Sequence, residues 1–289
     1  MNNVFPGEKI FLWHDENIRT ASGRPSIAPM LVPGTATRPA VLVIPGGGYG
    51  CVCNDTEGYP IGKKFNELGY HAFVLDYRTA PDRWPCPQLD AMRAMKMIRA
   101  NAEKWHVEPT RVYVCGFSAG AHLAGSLGTI CGSLDAGAGD ESDTFPYMPD
   151  GMILCYGVLS LAAYSNQGTR VNLLGEVSEE VALEFSLPEH VSGATPPTFL
   201  MHTIRDQVVP YRNSMEFADA MAKNDRPCQL ALYNWGDHGM LLGINTLDVV
   251  RWPEEAVAFM ESVEAFAKDT SYIARYTNSY QAQMEKNCF

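Results

Sequence analysis

Arg111-Val112-Tyr113-Val114-Cys115-Gly116-Phe117-Ser118-Ala119-Gly120-Ala121-His122-Leu123-Ala124 is the stretch on which the fold reading turns. An apolar, β-branched run stops at a glycine, a serine sits between small residues, and a helical pattern begins at once. The string Gly116-x-Ser118-x-Gly120 is weak on its own. Between a strand and a helix it is what a nucleophile elbow requires, a tight turn that presents the serine Oγ. The flanking glycines remove the Cβ atoms that would clash in such a turn.

Outward from the elbow, short apolar runs alternate with helical spacing. Residues 9–13, 28–32, 40–44, 72–75, 112–116, 152–158, 198–202 and 229–233 read as strands. Several are unbroken β-branched runs, as in strands buried on both faces of a parallel sheet. Residues 62–68, 89–103, 119–130, 214–224 and 254–268 read as helices. Met92, Met95 and Met97 fall at helical spacing and read as core rather than as a methionine-lined site. The pattern predicts an α/β fold, a mostly parallel open sheet with helices on both faces, in a single domain over 1–289. Two segments break the rhythm. Residues 131–150 form a Gly/Asp/Pro-rich excursion, and 159–197, about 40 residues, are the only room for a small lid, too short for a large cap domain. The extension 270–289 carries three tyrosines and a terminal Phe, and docking on the body or on a second copy in a homo-oligomer both stay open.

Composition bounds the partners. The chain has 289 residues, 46% hydrophobic and 19% charged, enough for a full core. Twenty-two Lys and Arg against 33 Asp and Glu leave a net charge of −11. That argues against nucleic acid and anionic membranes as partners, since both select clustered cations. No apolar run approaches the ~20 residues of a membrane span. The first residues lack a basic start and an apolar stretch, so a cytoplasmic protein is expected. Eight cysteines spread along the chain do not form a small disulfide framework. Cys51 and Cys115 and Cys155 lie in or beside apolar segments, and the pair Cys51-Val52-Cys53 lacks a second pair at zinc spacing. No metal or other cofactor is expected.

A serine hydroxyl needs an oriented base to take its proton. In open-sheet hydrolases the chain order is Ser, then Asp or Glu, then His. After Ser118, Asp206 follows the strand at 198–202 and His238 follows the strand at 229–233, both where open α/β sheets place their sites. His122, in the elbow helix, and His202, at a strand end, read as structural. Asp237 reads as directed elsewhere by its tight turn. The run Pro45-Gly46-Gly47-Gly48-Tyr49 directly after a strand can bring backbone N–H groups to a developing oxyanion. Neither a dinucleotide fingerprint at Gly46 nor a phosphate loop at Gly58 survives its spacing.

With these residues in place, the chain resembles the α/β-hydrolase superfamily. More narrowly, it resembles the cap-less carbohydrate esterases labelled acetyl xylan esterase or BD-FAE-like, relatives of the hormone-sensitive-lipase esterases. The resemblance runs from about Ala40 to Leu242. It rests on Pro45-Gly46-Gly47-Gly48-Tyr49, Glu57-Gly58, the run from Leu68 to Arg78, Gly116-Phe117-Ser118-Ala119, Pro196-Pro197-Thr198-Phe199-Leu200, Asp206 with Val209-Pro210, and Gly236-Asp237-His238-Gly239. It implies Ser118 as nucleophile, His238 as proton relay, Asp206 as its orienter, and an oxyanion hole from the N–H groups of Gly47, Gly48 and Ala119. Two departures stand out. Pro45 replaces the histidine of the lipase HGGG loop, a feature of the carbohydrate-esterase branch, and Ala121 replaces a second glycine after the elbow.

The expected activity is hydrolysis of short acyl esters, acetyl above all, of sugars or xylo-oligosaccharides. Small-molecule or oligosaccharide esters are therefore the expected partners, and Tyr49, Tyr156 and Trp235 are candidates to stack on a sugar ring. A general carboxylesterase, a feruloyl esterase or a prolyl-type peptidase would use the same three residues. A non-catalytic binding protein on this fold is the remaining alternative.

Overall fold

The structure is a computed structural model that describes residues 6–20 and 23–269. Its frame is one eight-stranded sheet: β1 (Ile10–Phe11), β2 (Ser26–Met30), β3 (Arg38–Ile44), β4 (His71–Asp76), β5 (Val107–Phe117), β6 (Met152–Cys155), β7 (Thr198–Thr203) and β8 (Cys228–Tyr233). The spatial order is β1-β2-β4-β3-β5-β6-β7-β8. β1 and β2 join antiparallel at one edge, and every pairing from β4 to β8 is parallel. The eight strands read from apolar runs are all present. β6 stops at Cys155, short of the expected 158, because Tyr156 turns the chain out of the sheet at φ 38°.

Alternation along each strand splits the core into two layers. Leu42 and Ile44 of β3 face one layer, and Val41 and Val43 face the other. The first layer is completed by α2 (Cys86–Ala100) with Met92 and Met95, α4 (Ala119–Leu127) with Leu123, and α7 (Arg212–Lys223) with Phe217 and Met221. The second is closed by α1 (Tyr59–Glu67) through Ile61 and Phe65, and by α8 (Trp252–Lys268) through Trp252 and Phe259. The one-turn α3 (Ala102–Trp105) ends on left-handed His106 before β5. The fold is therefore a mostly parallel sheet with helices on both faces, as the sequence implies.

Residues 159–197 hold two short helices, α5 (Gln167–Leu174) and α6 (Glu179–Leu183). Each is capped by a side chain, Asn166 accepting from the Thr169 N–H and Ser178 from the Val181 N–H. A five-residue π-helical turn, Asn54–Gly58, leads into α1. Among the described residues no helix is long and apolar enough to cross a membrane. The seven described cysteines are unpaired; Cys115 and Cys155 are buried, whereas Cys51 is exposed, a departure from its expected apolar setting. The extension 270–289 lies outside the described residues.

Candidate active site

Ser118 stands between β5 and α4 at φ 53° and ψ −119°, a conformation L-residues rarely adopt. The turn is held by the Ser118 N–H donating to the Cys155 carbonyl at 3.0 Å and by the Val158 N–H donating to the Ser118 carbonyl at 3.2 Å. Its tightness explains the glycines. A Cβ on Gly116 would lie 2.2 Å from the Gly120 carbonyl oxygen, and one on Gly120 would lie 2.2 Å from that of Ile44.

The turns after β7 and β8 deliver the other two side chains. His238 Nε2 lies 3.0 Å from Ser118 Oγ, and its Nδ1 lies 2.7 Å from Asp206 Oδ2. A carboxylate only accepts, so Nδ1 carries the proton and the Nε2 lone pair faces the serine hydroxyl. Asp206 Oδ1 accepts from the Val208 and Val209 N–H groups at 2.9 and 2.8 Å. Burial acts to raise the Asp206 carboxyl, but the hydrogen bonds from His202, His238 and Val209 outweigh it and hold the group well below the usual carboxylate range. His202 is fully buried, with Nε2 donating to the Val209 carbonyl at 2.9 Å and Nδ1 at 2.8 Å from Ser214 Oγ. Asp237 is turned away and caps the His238 N–H at 2.9 Å.

The glycine loop after β3 faces the serine. Gly47, Gly48 and Tyr49 all adopt positive φ. The Gly46 N–H donates to Glu57 Oε2 at 2.7 Å, and Asn172 of α5 donates to the Gly48 carbonyl at 2.8 Å. Gly47, Gly48, Ser118 and His238 line one cleft of about 280 Å³, together with Cys53, Glu57, Asn166, Thr169 and Val208. Ala119 opens α4, at a helix start whose first N–H groups have no intrahelical partner.

Two of the three proposed sugar platforms are corrected. Tyr49 is wholly buried, with its hydroxyl 2.9 Å from His122 Nδ1. The same imidazole donates from Nε2 to the Phe185 carbonyl at 2.9 Å, and burial holds His122 down at about 4. Tyr156 is also buried; its hydroxyl donates to Glu57 Oε1 at 3.0 Å and its ring packs edge-on against His238 at 5.1 Å between centroids. Neither ring has a face open to solvent. Trp235 is 58% exposed with the Arg205 guanidinium 4.3 Å above it, outside the residues that line the cleft. The reading of His122 and His202 as structural agrees with their full set of partners.

Sequence reasoning passed over Glu57, Asn166 and Thr169 as residues of the cleft. Asn166 carried a signal, since Asn three residues before Thr169 at the start of a helical stretch is a capping pattern. Glu57 carried only its place in the family resemblance.

The chain is similar to several known proteins. Endo-1,4-beta-xylanase B of Butyrivibrio fibrisolvens is 36% identical over 214 residues, 70% of this chain and 32% of that protein. Acetylxylan esterase of Xylanibacter ruminicola is 29% identical over 210 residues, 71% of this chain and 41% of that protein. The chain thus spans well under half the length of these curated relatives. Among solved structures, the acetyl ester-xyloside bifunctional hydrolase of Caldicellulosiruptor lactoaceticus superposes with a TM-score of 0.84 at 36% identity, covering 91% of this chain and 99% of that one. The BD-FAE family model matches residues 31–221, from the end of β2 through the elbow and Asp206 into α7. With the elbow, the glycine loop and Asp206 all inside that span, the chain belongs to the BD-FAE family, on the α/β-hydrolase fold.

Proposed function

We propose that this protein is a serine esterase that removes short acyl groups, acetyl first, from sugars such as xylo-oligosaccharides. The observation that carries the reading is His238, placed between Asp206 and Ser118 with its Nε2 lone pair on the serine hydroxyl. In the first half-reaction Ser118 Oγ attacks the ester carbonyl and His238 takes its proton. The oxyanion forms against the N–H groups of Gly47, Gly48 and Ala119, donors worth about 3 kcal/mol each in the transition state. The C–O bond to the alcohol then breaks, and His238 returns the proton to the departing oxygen. Water, deprotonated by His238, hydrolyses the acyl-enzyme to free acid and Ser118.

The names of the acetylxylan esterase and the acetyl ester-xyloside hydrolase to which the chain is similar support acetylated xylose oligomers as the substrate class. Asn166 and Thr169 support it too, because they line the cleft beside the nucleophile with polar side chains. A second reading, a carboxylesterase for apolar alcohols, draws on a groove of about 450 Å³ lined by Pro60, Met240, Leu242 and Ile244 beside the His238 turn.

Acetate release from acetylated xylo-oligosaccharides beside 4-nitrophenyl acetate, for wild type and Ser118→Ala, tests both. Release from both substrates that is lost in the variant is the expected result. Turnover of the activated ester alone would remove the sugar substrate, and turnover that survives Ser118→Ala would remove the nucleophile.

A further inference from the structure

Outside the three residues of the relay, one ionisable side chain joins the glycine loop to the tyrosine that packs on His238. Glu57 is 7% exposed, on the π-helical turn that follows the glycine loop. Its Oε2 accepts from the Gly46 N–H at 2.7 Å, its Oε1 from the Tyr156 hydroxyl at 3.0 Å. Tyr156 in turn packs on the His238 imidazole. Gly46 has no room for a side chain here, because a Cβ would lie 2.7 Å from Glu57 Oε2 and 2.9 Å from Ser118 Cβ.

We propose that Glu57 is a positioning residue whose ionised carboxylate holds the glycine loop and the histidine turn in register around Ser118. The inference rests on the reading of Ser118 as the nucleophile. The carboxylate accepts both hydrogen bonds at full strength, whereas a protonated carboxyl accepts more weakly and adds a donor of its own between them. Its charge also lies on the His238 side of the cleft, where the imidazolium forms during attack. Burial pushes the Glu57 carboxyl up from its ordinary value, against the lowering effects of the Gly46 and Tyr156 hydrogen bonds and of His238. The other titratable groups facing it are Cys53, Tyr77, Cys155, Tyr156 and His238. Burial pushes the two thiols and two phenols up, so they stay protonated at neutral pH.

Glu57→Gln keeps the shape and removes the charge, as protonation does. The readout is the rate at which a fluorophosphonate probe labels Ser118 between pH 4 and 9, in wild type and variant, with kcat and KM for 4-nitrophenyl acetate beside it. The wild-type rate should exceed the variant rate about 10-fold at the alkaline end, a fraction of the 100-fold that 1 Å of misplacement costs. The two rates should converge toward the acid end, with KM nearly unchanged. A ratio that is flat with pH, or near one throughout, would overturn the proposal. Failure of wild type to label at all would overturn the nucleophile reading with it, whereas labelling with a flat ratio would overturn the Glu57 role alone. If Glu57→Gln lowers the melting temperature too far for assay, Tyr156→Phe takes its place. It keeps the Gly46 bond and should slow labelling about threefold, less than the full worth of a hydrogen bond to a charged group because only its effect on positioning is read; an unchanged rate would remove the link to the histidine turn.

Discussion

Asp206 spends all its acceptor capacity: two backbone N–H groups on Oδ1, and His238 with the more distant His202 on Oδ2. Asp206→Asn would keep the Oδ1 bonds but present an N–H to His238, favouring the tautomer with its proton on Nε2, facing Ser118. We expect kcat for 4-nitrophenyl acetate to fall about 10⁴-fold with little change in melting temperature, the size of loss a wrong tautomer causes in such relays. Steady-state kinetics on protein checked by thermal melting measures both. Ser118, Asp206 and His238 were legible because each follows the C-terminal end of an apolar run, and strand order alone brings such ends together. Tyr49 and Tyr156 were misread because a tyrosine's burial depends on a partner for its hydroxyl. Those partners, His122 and Glu57, stand 73 and 99 residues away in the chain.

The elbow is the element under the tightest steric constraint. Gly120 of α4 packs on the end of β3, where a methyl group would meet the Ile44 and Pro45 carbonyl oxygens at 2.2 and 2.4 Å. Backbone gives way less readily than side chain, so Gly120→Ala should destabilise the fold by about 3 kcal/mol, the upper range of overpacking, despite the higher helix propensity of alanine. Urea unfolding of wild type and variant gives the number. The central strands β3 and β5 were readable because their apolar, β-branched runs are buried on both faces. The helices α5 and α6 were not, because elements this short owe their order to tertiary packing and caps rather than to an apolar stripe. Their consequence is functional, since Asn166, Thr169 and Asn172 reach the cleft and its glycine loop from the segment read only as room for a lid.

Across the molecule, the excursion 131–150 is tied down by two buried arginines of α2. Arg93 donates to Asp140, to Asp143 and to the Leu12 carbonyl, while Arg99 reaches Asp150 and the Met148 carbonyl. The Arg93 hydrogen bond holds the Asp140 carboxyl down at about 2. A group whose pKa is depressed by folding stabilises the native state above its unfolded value, near 4, and loses that contribution as pH falls toward the folded one. Wild type should therefore lose more melting temperature than Asp140→Asn between pH 4 and pH 2. Equal losses would show that the Arg93 contact contributes nothing through this carboxylate.

The sequence by itself determined the sheet, the elbow and the order Ser118, Asp206, His238. These depend on local spacing, on glycines where the backbone has no room for Cβ, and on the rule that strand ends meet. The tertiary structure alone decided which polar side chains face the cleft and which are spent inside. Burial of a hydroxyl or carboxyl depends on partners far away in sequence, and no local pattern records them. Glu57 is the clearest case: one glutamate in a short turn, given its place by Gly46 on one side and Tyr156 on the other.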